Sequence, residues 1–202
     1  MEVSEKIKAF FAKYPAKDFA AGEQIVLGQD ANPPVSLVVS GRVSQYDISA
    51  SGNKIILTLY RPGAFFPLLP VLSGRPNKYF FEALEAATVR QAPGSAILEF
   101  LRSEPEVMFD LLRRLYSGLD GVLGRMSLLM DGTASSRILF ELSIMAERFG
   151  SRQNDGSWLV IITQSQLASQ TGLTRETVSR ELKKLSESGT VTLGKGTICI
   201  RF

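Results

Sequence analysis

The chain has 202 residues, 45% of them hydrophobic and 21% charged, which is enough apolar material for one large or two modest globular domains. One cysteine and no histidine exclude an intramolecular disulfide, a cysteine metal cluster, a histidine-based catalytic triad and a histidine metal site. The net charge of +3 has a definite place: from Val160 to Phe202 there are six Lys/Arg against three Glu, and the preceding residues balance.

A basic end on a neutral body is the layout of a protein in which one domain meets phosphate and the other does something else; a solvated surface helix would give the same excess. At the other end, Met1-Glu2-Val3-Ser4-Glu5-Lys6 lacks a signal peptide's apolar centre. No apolar run approaches the roughly 20 residues that span a bilayer, so a cytoplasmic location and no membrane partner are expected.

In chain order, Ile7, Phe10 and Phe11 recur at helical spacing and define a short helix from Ser4 to Phe11, ended by Tyr14-Pro15. From Phe19 to about Val89 short β-rich runs follow: Gln24 to Leu27, Val35 to Val39, Gly41 to Val43, Ile55 to Tyr60, and one around Tyr79 to Val89. Turn signals separate them at Ala21-Gly22, Gln29-Asp30, Ser40-Gly41, Ser51-Gly52-Asn53 and Pro62-Gly63, the texture of an all-β barrel or jelly roll. Ser95 to Arg102 reads as a helix.

After Pro105 a longer helix begins. Met108, Leu112, Leu115, Leu119, Val122, Met126 and Leu129 alternate at spacings of four and three, the seam of a two-helix coiled coil. A homodimer through Leu112, Leu115, Leu119, Val122, Met126 and Leu129 is therefore expected. Leu111, Leu123 and Met130 add a second stripe, expected to pack on the helix's own barrel. Gly118, Gly121 and Gly124 lie in the same helix, each costing about 1 kcal/mol relative to Ala. They predict either close helix contacts or an element whose order depends on a ligand. Asp131-Gly132-Thr133 breaks the pattern, with Thr133 capping a new helix through Phe149. The expected domains are 1–104, rich in β; 105–131, a dimerisation helix; and 132–202, a C-terminal domain.

The polar turn Asn154-Asp155-Gly156 leads into a short strand from Trp158 to Ile162. Thr163 caps a helix carrying Leu167 and Ala168, Gly172 breaks it, and Thr174 caps a second helix with Val178, Leu182 and Leu185 on one face. That is a helix-turn-helix pattern, which any αα corner can imitate. With the apolar face inward, Arg175, Glu176, Ser179 and Arg180 share the exposed N-terminal half of the second helix, accompanied by Thr174, Thr177 and Lys183. Guanidinium, carboxylate and hydroxyl are the groups that read guanine, cytosine and either base; surface pairing of the arginines with Glu176 and Glu181 is the alternative. Val191-x-Leu193, Gly194-Lys195-Gly196 and Ile198-x-Ile200 form a β-hairpin wing with Lys195 at its tip, and Cys199 falls out of phase with its neighbours.

These stretches together make the chain resemble the cyclic-AMP receptor protein and fumarate–nitrate regulator (Crp/Fnr) superfamily of transcription factors over nearly its full length. The likeness is carried by Ala21-Gly22-Glu23-x-Ile25, Gly28-Gln29-Asp30, Leu37-Val38-Val39-Ser40-Gly41-x-Val43, Gly52-Asn53-Lys54, Pro62-Gly63-x-Phe65, Arg137-Ile138-Leu139 and, most specifically, Leu173 to Arg180. The resemblance implies an α+β protein: an N-terminal β-roll (jelly roll) of the cyclic-nucleotide-binding type, a long dimerisation helix and a C-terminal winged helix-turn-helix domain. It implies a homodimeric, effector-responsive regulator of double-stranded DNA, with RNA polymerase a further partner of an activator. Glu176-x-x-Ser179-Arg180 is the family arrangement associated with TTGA…TCAA palindromes.

The family's nucleotide cassette has a Gly-Glu pair and an Arg-Ser/Thr-Ala stretch. Here those places fall against Phe66-Pro67-Leu68-Leu69 and near Asn77-Lys78-Tyr79, so the charged partners of ribose and phosphate are missing. The cysteines and histidines of the iron–sulfur and haem branches are absent too, and no cofactor or metal is expected. The expected effector pocket is rimmed by Phe65, Phe66, Tyr79, Phe80 and Phe81 with Arg75 and Lys78 near, suited to an apolar or aromatic, anionic small molecule, unless these aromatics are barrel core. A winged domain that binds protein, a regulator with no effector, and a jelly-roll enzyme are the other readings. No converging catalytic groups support the last.

Overall fold

The computed structural model describes residues 2–201. Its contacts divide the chain into two compact units, Met1–Leu115 and Tyr116–Phe202. The division falls inside the long helix, whereas the sequence suggests a hinge at Asp131-Gly132-Thr133.

The first unit holds α1 (Val3–Phe11), β1 (Ala16–Phe19), β2 (Gln24–Val26), β3 (Val35–Ser40), β4 (Val43–Ile48), β5 (Lys54–Tyr60), β6 (Phe65–Phe66), α2 (Leu69–Ser73), β7 (Phe80–Ala83), β8 (Ala87–Ala92) and α3 (Gly94–Ser103). Two four-stranded antiparallel sheets form, in the orders β1-β8-β3-β6 and β2-β7-β4-β5. The expected run over Gly41 to Val43 is instead the tight turn into β4. Gly41 has φ +75°, and a Cβ there would press on the Ala86–Ala87 backbone. The single run expected around Tyr79 to Val89 is two strands, β7 and β8.

Strand alternation sorts the core into two clusters. Val35, Leu37 and Phe65 meet Ile7, Phe11, Ile97, Phe100 and Leu101 beneath α1 and α3. Val38 and Phe66 join Val26, Val43, Phe81, Ala83 and Ala87 in a second cluster.

α4 (Pro105–Asp131) runs through the division. The second unit continues with α5 (Ala134–Phe149), β9 (Ser151–Arg152), β10 (Trp158–Ile161), α6 (Gln164–Thr171), α7 (Arg175–Glu187), β11 (Val191–Gly194) and β12 (Thr197–Ile200). β11 and β12 form the wing, and with β10 and β9 make one sheet in the order β11-β12-β10-β9. Ile138, Leu142, Val160, Leu167, Val178, Leu182 and Ile200 are buried at its centre. The protein is thus α+β, with a β-roll, a long helix and a winged helix-turn-helix. No helix among the described residues is long and apolar enough to cross a membrane.

Candidate nucleic-acid interface

The recognition unit is built by caps. Thr163 Oγ1 accepts the Gln166 N–H at 3.1 Å while Gln166 Oε1 accepts the Thr163 N–H at 2.9 Å, a reciprocal capping box that starts α6. Gly172 ends it in the left-handed region (φ +67°), and the Leu173 N–H reaches back to Ala168 O at 3.2 Å. Two residues on, Thr174 Oγ1 accepts the Thr177 N–H at 3.2 Å and opens α7. Ala168, Val178, Leu182 and Leu185 are buried, so α7 is held by its apolar face.

The opposite face is free. Arg175, Glu176, Ser179, Arg180 and Lys183 are exposed, Thr177 is half-buried, and Lys195 is exposed at the wing tip. Glu176's own backbone N–H, the Thr174 hydroxyl and Arg175 hold its carboxyl below the usual range, so at neutral pH it is an acceptor. Lys183 Nζ lies 3.9 Å from Glu187. Between the wing, the start of α6 and α7 there is a cleft of about 330 Å³ with Gln164, Ser165 and Arg175 on its polar side and Leu182, Leu193 and Ile198 on its apolar side. It presents a cation and a helix N-terminus together, the elements that hold a phosphate.

Sequence reasoning overlooked Glu181 as an organising residue. It is buried, accepts Ser135 Oγ at 2.7 Å and Lys184 Nζ at 2.8 Å, and lies 3.5 Å from Arg180 Nε. The signal was available: position 181 shares the inward face with Val178, Leu182 and Leu185, and a carboxylate there needs partners.

The residues expected to seam a dimer are all exposed in the single chain: Leu112, Leu115, Leu119, Val122, Met126 and Leu129. Of the second stripe only Leu111 packs on the first unit's core. Leu123 and Met130, in the second unit, are exposed in the single chain. The glycines separate likewise. A Cβ on Gly124 would run into the Phe140 ring, and one on Gly121 would touch Ile144, so these two admit α5; around Gly118 there is open space.

The expected effector pocket does not assemble as one site. Phe65 and Phe66 are consecutive strand residues and enter different clusters. Phe66 stacks on Phe81 (centroids 4.8 Å apart, planes 9° apart) and lies 4.9 Å from Tyr60, while Phe80 stacks on Tyr46 at 5.3 Å and covers Gly28. Arg75 and Lys78 are exposed, and Tyr79 and Phe80 half-buried.

Asn77, near the place where the resemblance puts a phosphate-binding arginine, is buried and consumed locally. Its Nδ2 donates to Leu27 O at 3.0 Å and Tyr79 O at 2.6 Å, and its Oδ1 accepts the Tyr79 N–H at 3.2 Å. The amide thus staples the segment before β7 to the one after β2 and has no charge for a phosphate. With no carboxylate in Phe66-Pro67-Leu68-Leu69 for a ribose and a locally bonded amide at Asn77, these residues do not fit the ribose and phosphate of a cyclic nucleotide.

Two family models match the chain, a cyclic nucleotide-binding domain over residues 16–104 and a Crp-like helix-turn-helix domain over 136–201. Among curated relatives, the transcriptional regulator SdrP of Thermus thermophilus is 28% identical over 161 residues, 80% of this chain and 76% of its own. The global nitrogen regulator of Synechococcus elongatus is 27% identical over 187 residues, 91% of this chain and 84% of its own. A crystal structure of a CRP/FNR-family transcriptional regulator from Thermus thermophilus superposes with a TM-score of 0.72 at 26% identity, covering 93% of this chain and 94% of that one.

Proposed function

Because the chain belongs to the Crp/Fnr family of transcriptional regulators, we propose that it works as a cytoplasmic homodimer that reads a twofold-symmetric DNA site and needs no cyclic nucleotide to do so. The observation that carries the reading is the exposed N-terminal face of α7, which holds Arg175, Glu176, Ser179 and Arg180, together with the exposed Lys195 at the wing tip. In the major groove such a face offers a fork for guanine O6 and N7, an acceptor for cytosine N4 and a hydroxyl. Thr174, Thr177, Lys183 and the cleft at Gln164, Ser165 and Arg175 serve the phosphates, which fix register without reading sequence.

Dimerisation through the exposed α4 seam sets two such helices about one helical turn of DNA apart. An effector of aromatic, anionic character is assigned to the surface around Arg75, Lys78 and Phe80, with Tyr79 packed against the Phe66–Phe81 cluster beneath. RNA polymerase is the additional partner when the bound protein activates.

Selection from a random DNA pool tests the reading. A TTGA…TCAA inverted repeat is the expected enrichment. A different palindrome would replace only the half-site, and enrichment of no palindrome would overturn recognition by α7.

A further inference from the structure

Arg180 and Glu181 are adjacent in sequence, but α7 sends them to opposite environments: the Arg180 side chain is 66% exposed and that of Glu181 10%. A carboxylate at an inward position is tolerated only with partners. Glu181 has them on two elements, with Oε2 accepting Ser135 Oγ from the first turn of α5 and Oε1 accepting Lys184 Nζ from α7. The same Oε1 lies 3.5 Å from Arg180 Nε. Lys184 and Ser135, with lesser help from Arg180, hold the Glu181 pKa at about 2, so the charge is present at any physiological pH.

An ion pair as exposed as the Arg180 side of this one adds little stability. Its effect is directional. The contact engages Nε, which leaves the two terminal amino groups, the fork that matches guanine O6 and N7.

We infer that Glu181 is a positioning residue for base recognition: anchored to α5 through Ser135, it holds Arg180 by Nε and so fixes where the guanidinium fork meets guanine. This rests on the proposed reading of DNA by α7. Immobilising a long side chain before binding removes an ordering cost equivalent to about two- to tenfold in affinity. That gain applies only when Arg180 finds its guanine, so Glu181 sharpens discrimination and does not merely strengthen binding.

The test uses the full-length protein and two duplexes, the palindrome that the wild type enriches and the same palindrome with the guanine–cytosine pair assigned to Arg180 replaced by adenine–thymine. A wild type that does not distinguish them overturns the assignment of Arg180, and this inference with it. Where the wild type does distinguish them, Glu181→Gln, which keeps an acceptor for Ser135 but loses the charge, is expected to reduce the ratio of the two dissociation constants by about two- to tenfold. In an Arg180→Ala background the same change is expected to leave the ratio unaltered.

Ser135→Ala keeps the carboxylate, removes the anchor, and is expected to act in the same direction to a smaller extent. It also serves as the measurement if the Gln variant does not fold. An unchanged ratio in folded Glu181→Gln, or in Ser135→Ala where the Gln variant does not fold, or an equal change with and without Arg180, would show that Glu181 supports the fold alone.

Discussion

Arg125 of α4 and Glu141 of α5 meet in a two-point ion pair, with Nε 2.7 Å from Oε2 and the second guanidinium nitrogen 2.9 Å from Oε1. Only 4% of the Glu141 side chain is exposed. Beside this pair the Phe140 ring rests on Gly124, and the Arg137 guanidinium donates to Leu128 O and Leu129 O. The end of α4 is thereby bound to α5. Arg125→Ala strands a buried carboxylate and is expected to destabilise the second unit by about 3 kcal/mol. Trp158, the single tryptophan, lies on β10 of that unit, and its fluorescence in a urea titration reads the loss directly.

The α4 glycines give opposite outcomes on substitution. Gly118→Ala meets open space and is expected to stabilise the single chain by up to about 1 kcal/mol through helix propensity. Gly124→Ala drives a methyl into Phe140 and is expected to cost about 1–3 kcal/mol. If both variants shift the urea midpoint equally, the assignment of Gly124 to α5 packing is wrong.

Association through the α4 seam is expected to fail in Leu119→Glu, which sets a charge among apolar side chains. Sedimentation velocity should then show a monomer. A persistent dimer would place the interface on another surface.

Neither cyclic AMP nor cyclic GMP is expected to produce heat in calorimetry at concentrations up to the millimolar range, given the apolar cluster around Phe66 and the local consumption of Asn77. A micromolar affinity for either would refute the misfit of the roll to a nucleotide.

Acid should weaken the second unit in a defined window. Asp155 is held at about 2, first by the side chain and backbone N–H of Ser157 and then by Arg201, and Glu181 is also held at about 2. Both folded pKa values lie below ordinary carboxylate values, so their stabilisation is complete above about pH 5 and is lost as pH falls towards 2. Repeating the Trp158 urea titration between pH 6 and 3 should show stability falling with pH. The fall should be shallower in the double variant Asp155→Asn, Glu181→Gln, and an identical slope would remove these two groups from the acid response.

The second unit was legible because its signals are local. Thr163, Gly172 and Thr174 each act within a turn of chain, and α6 begins and ends, and α7 begins, where those residues dictate. The first unit depends on partners distant in sequence. Ala16-Lys17-Asp18-Phe19 has no apolar alternation and becomes β1 only by pairing with β8, Ala16 opposite Arg90. α2, a five-residue helix with proline at its start, carries no periodicity to detect. The expected effector pocket failed on a period: Phe65 and Phe66 are equally apolar and adjacent, and a strand must send adjacent side chains to opposite faces. On α7, the sequence offers Glu181 only as an alternative surface partner of the arginines; the pair with Arg180 forms, but from a buried carboxylate on the inward stripe.

The Phe66–Phe81 stack has a consequence for how the amount of working protein is set. A ligand that binds only the native state adds stability that rises with the logarithm of its concentration, so the folded fraction of a ligand-filled domain follows the supply of that ligand. The Phe66–Phe81 stack is core that belongs to the chain itself and is present in every folded molecule. Starvation or surplus of a nucleotide second messenger is therefore expected to leave the melting temperature of the roll, and its resistance to proteases, unchanged. The folded fraction of the roll is then expected not to follow the supply of such a nucleotide.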